Sequence, residues 1–342
     1  MRAWVKNEPK KGMELVDIPV PKPGEGEVLV KVLATAICGT DLHLYEWNAW
    51  AQGAVSSLPL VLGHEFCGEI AEVGKDVTRY KTGDYVSADS HVVCGTCYQC
   101  LNGMQHICGN LKILGVHIPG CFAEYIAVPE HVLWKISRDI KPEFGAIMEP
   151  LGVGVHAIHR GEVQGARMVV QGCGPIGLGA IAAAQAMGAA EILAVDVSET
   201  RLDFAKQLGA QVLNPTKTDI QKCVMEMTQG TGADVIVEAT GNAKAVSAAF
   251  KFLRKGGRAL LVGLPSEPVT FDLVSDIVFK EATVMGFHGR EMYQTWTVMD
   301  HLMQQGKLKL EPLVSHILPL EKAEEAMELL LSGQGSKVVL KP

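Results

Sequence analysis

The sequence has no apolar run long enough to cross a membrane, which takes about 20 residues. Its longest uncharged apolar stretch, near 172–190, is broken by repeated glycine and a glutamine. Met1–Lys10 has no apolar signal core, so no secretory leader is expected. There is no internal repeat and no low-complexity tract. Basic charge is not in excess: 31 Lys and Arg face 38 Asp and Glu, a net charge of −7. That balance argues against a nucleic-acid partner. Only 20% of residues are charged and 48% are hydrophobic, which excludes a largely disordered chain. With 342 residues the chain has room for two domains, each with its own core.

An even set of cysteines is also missing. The nine cysteines cannot all pair with one another, and four of them crowd between Cys94 and Cys108. Secreted disulfide scaffolds are short and evenly cysteine-dense. A long chain with one tight cluster reads instead as a reduced, cytoplasmic protein with a metal site. Cys94, Cys97, Cys100 and Cys108 follow the spacing C-x2-C-x2-C-x7-C. Four thiolates so close suit a tetrahedral, structural Zn²⁺. An iron–sulfur cluster and disulfides are the other readings of the same run.

What is abundant is glycine, 36 residues, and its distribution divides the chain. The first half reads as β-rich. Met13–Asp17, Glu27–Ala34, Phe66–Val73 and Asp84–Ala88 are short apolar runs punctuated by glycine and proline, as in an antiparallel, barrel-like domain. After about residue 150 strands and helices alternate, which indicates a doubly wound parallel sheet. Strands are expected at Arg167–Gln171, Glu191–Asp196, Asp234–Glu238, Arg258–Gly263 and Thr283–Phe287. Helices are expected over 176–187, 200–208 and 243–253. The tail should hold helices over 292–305 and 321–332 and a last strand, Lys337–Lys341.

Gly172-Cys-Gly174-Pro175-Ile176-Gly177 follows a strand and opens a helix. In that context G-x-G-x-x-G is a dinucleotide fingerprint. The first glycine makes the turn, the second admits the pyrophosphate and the third lets helix and strand pack closely. The helix N-terminus then meets the phosphates. An acid is expected at the end of the next strand, and Asp196 stands there. A carboxylate at that place favours NAD over NADP. Arg201 is read as flanking the adenosine. Gly263-Leu264-Pro265 and Gly286-Phe287 end later strands, so their backbones are candidates for the nicotinamide side.

A second set of metal donors is Cys38, His64 and Glu65, with Glu149 near the domain changeover. Spacing alone leaves this set open, since a cysteine with a histidine 26 positions later is commonly just core. Taken together, CGTDLH at 38–43, GHEFCGEI at 63–70, the four-cysteine run, Glu149-Pro150 and GCGPIG at 172–177 resemble the zinc-dependent medium-chain dehydrogenase/reductase family. The resemblance covers essentially the whole chain. It implies an α/β protein: a GroES-like β-rich catalytic domain over 1–149 and 288–342, and a Rossmann NAD-binding domain over 150–287. It implies two zinc ions per chain. Cys38, His64 and Glu65 would bind the catalytic one, with Glu149 completing or exchanging the fourth position, and the four-cysteine run the structural one. It assigns a proton relay from the Thr40 hydroxyl to His43 as terminal base, and histidine's ordinary pKa of about 6.5 suits that task.

Leu42–Gln52, with Trp47 and Trp50, and Phe287–Trp296 resemble the members that oxidise L-threonine with NAD. Bottom-up, both are aromatic loops whose alternative role is packing or a subunit contact. Glu149-Pro-Leu-Gly-Val153 departs from the family pattern, which has Asn where Val153 stands. A polyol or vicinal-diol substrate is the alternative, with the same zinc, cofactor and relay. A non-catalytic dinucleotide binder is a second rival, but such relatives lack the metal donors that this chain keeps. The family also implies a homotetramer with Rossmann edge strands pairing between subunits. Arg290 is a candidate for the substrate carboxylate or the cofactor, while His156 and His159 read as packing or surface residues.

Overall fold

The computed structural model describes residues 1–342 and divides them into two compact units. One holds Met1–Pro150 with Val314–Pro342, the other Leu151–Leu313.

The first unit is built on the strand Glu27–Ala36. Its alternate residues Val28, Val30, Val32, Ala34 and Ala36 are buried. It pairs antiparallel with Glu65–Val73, with Tyr125–Pro129 and with Val338–Lys341. The sheet runs on through Tyr85–Ala88 to Leu133–Lys135 at one end and to His316–Pro319 at the other. A smaller sheet joins Glu14–Asp17, Arg2–Lys6 and Leu60–Val61. Phe66, Ile70, Phe122, Ile126 and Leu340 meet in the core.

The segment after Glu27–Ala36, read from sequence as an aromatic loop, is helical instead. It forms α1 (Gly39–Glu46) and α2 (Ala49–Ala54). Two caps explain why. Cys38 is extended at the start of α1, and its N–H donates to Asp41 Oδ2 at 2.8 Å. Trp47 then turns into the left-handed region, φ 54°, which ends α1 and lets Asn48 cap α2. A third helix, α3 (Met148–Arg160), carries Glu149 in its first turn.

The second unit is a parallel six-stranded sheet: β1 (Arg167–Gln171), β2 (Glu191–Val195), β3 (Gln211–Leu213), β4 (Ala233–Glu238), β5 (Leu253–Leu261) and β6 (Thr283–Gly286). The spatial order is β3-β2-β1-β4-β5-β6, the Rossmann arrangement. Helix α4 (Pro175–Ala186) follows β1 and α5 (Glu199–Gln207) follows β2. Strands β1, β2 and β4 read as continuous apolar runs because helices cover both faces. The short β3 and the helix Ile220–Met227 after it were not foreseen.

The chain returns to the first unit at Val314, not at 288. The helix Gln294–Gln304 buries Trp296 and Met299, and Leu308, Leu310 and Leu313 are buried after it. The turn Glu311–Leu313 packs against α4 and α5, so apolar contact keeps this stretch with the Rossmann sheet. No helix is long and apolar enough to cross a membrane.

Candidate metal and cofactor sites

Cys38, His64 and Glu65 come from three places: the N-cap of α1, the turn before Glu65–Val73, and the first residue of that strand. Their donor atoms all lie within 4.8 Å of one another. His64 and Glu65 are buried. Asp41, fully buried, stands behind the histidine with Oδ1 3.5 Å from His64 Nδ1, and neither atom has a hydrogen-bond partner. Burial alone would lower the His64 pKa, but Asp41 and Cys38 outweigh it and lift the pKa well above the ordinary value. The orphaned buried Oδ1 and Nδ1, with the converging thiol, imidazole and carboxylate, make a site suited to a cation. Thiolate, imidazole and carboxylate are the donor types zinc accepts. The residues present therefore fit that metal.

Glu65 has a second partner. Lys337 Nζ lies 2.8 Å from both of its oxygens and 2.9 Å from the carbonyl of Ile37, in a pocket where the lysine and glutamate side chains are 3% and 0% exposed. Burial raises the Glu65 pKa to about 7, against the pull of Lys337, and Glu149 adds to the rise. Glu149 is near but stands outside the three-donor cluster. It accepts a short hydrogen bond from Ser90 Oγ. Neither Ser90 nor Lys337 carries a local sequence signal. Asp41 does: an acid three residues into a helix can reach back to the N-cap backbone.

Thr40 and His43 are three positions apart on α1, a spacing that puts them on one helix face. His43 is exposed, and Trp50 of α2 packs near it with ring centroids 5.7 Å apart.

Cys94, Cys97, Cys100 and Cys108 also converge within 4.8 Å. Cys108 Sγ is 3.5 Å from Cys94 Sγ and 3.7 Å from Cys97 Sγ. Tetrahedral thiolates about 2.3 Å from one ion stand about 3.8 Å apart. These contacts are far too long for disulfides, and all nine cysteines are free. The set fits a single ion rather than a larger cluster. Backbone N–H groups of Thr96 and Cys97 hold the half-buried Cys94 thiol down to about 5, while burial pushes Cys100 up. The lobe has little core of its own, since Tyr98 and Leu101 are both exposed.

In the second unit, Gly172 takes φ +89°, and a Cβ on Gly177 would lie 1.8 Å from the Gly172 carbonyl oxygen. Gly174 caps α4 and opens on empty space, with Pro175 and Ile176 starting the helix. The loop is thus shaped for backbone approach at a helix N-terminus. Asp196 is brought to it. Its Oδ2 accepts from Cys173 N–H at 2.7 Å and its Oδ1 from Ser198 N–H at 2.8 Å. A carboxylate has about four acceptor positions, so capacity remains for two hydroxyls. Arg201, in the first turn of α5, has its Nε buried without a partner.

Gly263 is pressed against Gly241 and Glu238, while Leu264 is 85% exposed. Gly286 is exposed at the end of β6. Phe287 packs edge-on against His156 at 5.0 Å, and His156 Nδ1 lies 3.2 Å from the carbonyl of Gly289. Arg290 is buried beside Gly152, whose missing Cβ makes room for its Cδ.

Two family models match the chain: the alcohol dehydrogenase GroES-like domain over residues 24–138 and the zinc-binding dehydrogenase domain over residues 175–305. An L-threonine 3-dehydrogenase of Bacillus velezensis is 46% identical over 344 aligned residues, covering 100% of this chain and 99% of the relative. The chain belongs to the zinc-binding dehydrogenase family. Solved structures of zinc-binding dehydrogenases and their kin superpose over its full length. An alcohol dehydrogenase of Thermus sp. ATN1 does so with TM-score 0.91 at 32% identity, covering 100% of this chain and 99% of that one. The 2R,3R-butanediol dehydrogenase of Bacillus subtilis does so with TM-score 0.91 at 31%, with the same coverage. The first unit thus contains the GroES-like part of a zinc-binding dehydrogenase, and the second is its Rossmann part.

Proposed function

We propose that the protein oxidises the β-hydroxyl of L-threonine with NAD⁺, giving 2-amino-3-oxobutanoate, NADH and a proton. The observation that carries this is the 46% identity to the Bacillus velezensis enzyme over the full length of both chains. Cys38, His64 and Glu65 would hold the catalytic metal, and Glu149 would complete or exchange with that set. When bound, zinc supplies Lewis acidity to the substrate hydroxyl and NAD⁺ supplies the hydride acceptor. The protein's own part is to bind, orient and move the proton. Thr40 takes the hydroxyl proton and passes it to His43, whose exposed ring releases it to solvent. The Cys94, Cys97, Cys100 and Cys108 set holds a second, structural zinc.

Gly172, Gly174 and Gly177 admit the pyrophosphate to the start of α4. Asp196 accepts from the ribose hydroxyls and repels a 2′-phosphate, so NAD is the cofactor rather than NADP. Arg201 flanks the adenosine. The backbones at Gly263-Leu264-Pro265 and Gly286-Phe287 line the nicotinamide side. The chain works as a homotetramer in which β6 edges pair. Nine free cysteines suit a reducing compartment, and we place the enzyme in the cytoplasm.

A substrate panel followed by NADH absorbance tests the reading. L-Threonine should turn over with a kcat/KM at least tenfold above 2,3-butanediol and sorbitol. Turnover of the diols without threonine would establish the alternative, for which the likeness to the butanediol enzyme is the supporting observation.

A further inference from the structure

We propose that Asn48 is a positioning residue for the relay, fixing which nitrogen of His43 is unprotonated and which carries the hydrogen. The inference rests on His43 being the terminal base. Asn48 is the N-cap of α2, and its Oδ1 accepts from the Ala51 N–H at 3.2 Å. That commitment settles which way the carboxamide faces. Its other end, Nδ2, lies 2.6 Å from His43 Nδ1. An amide NH₂ group only donates, so the nitrogen it meets has to be bare. The neutral ring therefore carries its hydrogen on Nε2. The hydrogen bond at one imidazole nitrogen dictates the protonation of the other.

The surrounding backbone keeps the two side chains in register. The Asn48 N–H donates to the His43 carbonyl at 3.3 Å. Trp50 packs at 49° to the imidazole plane. A helix cap alone would be served equally well by Ser or Asp. Only a residue that accepts at one end and donates at the other meets both demands, and Asp cannot donate. Charged groups nearby are otherwise engaged. Asp41 on α1 faces His64 and the Cys38 N–H, and α2 has no charged residue. The helix Ala323–Leu331 also packs on α1, and its Glu328 is tied to Tyr45 and Lys11. On the same helix Glu325 pairs with Lys322 and Glu324 acts on Tyr45, and Glu46 ends α1.

Nδ1 waits unprotonated under the amide hydrogen; a proton arriving there displaces that hydrogen to give the imidazolium, and loss of the same proton to solvent restores the amide bond with Nε2–H unchanged. Asn48→Asp keeps the cap but offers Nδ1 an acceptor, which reverses the tautomer and favours the imidazolium. Asn48→Ser keeps the cap and loses the bond to the ring.

Magic-angle-spinning ¹⁵N NMR of the zinc-loaded enzyme, labelled at histidine, reads the tautomer directly, with His43 assigned by difference from His43→Gln. The unsubstituted enzyme should show a bare Nδ1 and a protonated Nε2, and Asn48→Asp the reverse. In kinetics, Asn48→Asp should move the acidic limb of the kcat–pH profile upward by about one unit. Asn48→Ser should lower kcat about tenfold with KM within twofold. Zinc content and the thermal midpoint of both variants should match the parent. A protonated Nδ1 in the unsubstituted enzyme, or an Asn48→Asp spectrum identical to it, overturns the proposal. If His43→Ala turns over normally, the relay itself fails, while the spectra still report on Asn48.

Discussion

Lys337 sets its ammonium between the two oxygens of Glu65 in a pocket that water does not reach. In the zinc-free protein, breaking this buried pair from one side costs about 3–5 kcal/mol, because the remaining charge then has no compensation. Lys337→Met should therefore lower the thermal midpoint sharply, and Lys337→Met/Glu65→Gln should recover much of the loss. Equal midpoints for the single and double variants would refute the pairing. Elsewhere Asp234 accepts from the Arg167 N–H and from Arg254 Nε. Burial alone would raise its pKa, but those bonds outweigh burial and lower it. Between the folded and unfolded pKa values the unfolded state binds more protons, so stability rises with pH there. This contribution is present above about 4 and is lost as pH falls through the depressed value. Asp234→Asn should flatten the acidic slope of the melting temperature, measured by calorimetry from pH 5 to pH 3. At this scale the residues that converge into the two donor clusters were named from the sequence, the four-cysteine run by its spacing and the other set by family resemblance. Lys337 was not, since its partner is 272 residues away.

Elements were legible wherever periodicity or punctuation was strong. The Rossmann strands and the start of α4 emerge from apolar runs and glycine spacing. By contrast, α1 and α2 are short and have weak patterning, and caps at Asp41 and Asn48 rather than amphipathicity define them. The loop before α4 gives a sharp test. A methyl on Gly177 cannot coexist with the Gly172 carbonyl at 1.8 Å. Gly177→Ala should weaken NADH binding at least tenfold in a fluorescence titration while zinc content stays unchanged; undiminished affinity would count against the fingerprint. The cysteine lobe gives another. Cys100→Ser should reduce bound zinc from about two per chain to about one by elemental analysis. It should also make the lobe sensitive to proteolysis, because little apolar packing remains to hold it.

For the whole molecule, composition and alternation foretold two units and their fold class, yet placed the return to the first unit too early. The reason is that the helix Gln294–Gln304 and the leucines after it look alike from either side; only packing on α4 and α5 decides ownership. The other end of the Rossmann sheet bears on assembly. Strand β6 lies at the sheet edge with Val284 exposed, and Leu273, Val278 and Phe279 are exposed in the preceding turn. An apolar edge of this kind invites pairing with another strand. Val284→Pro with Phe279→Asp should shift sedimentation to a smaller species; an unchanged coefficient would exclude this edge as the contact.

Strand Val338–Lys341 has one more consequence, for the chain as it is being made. A ribosome must deliver all of the Rossmann unit before Lys337 can reach Glu65 and the last strand can pair with Thr35 and Ala36. Until then the nascent polypeptide has a sheet with a gap and a carboxylate with no cation. Any product terminated before Lys337 would keep that unpaired edge. The sheet around Glu65 is therefore completed only by chains translated through Lys337 and the strand that follows it.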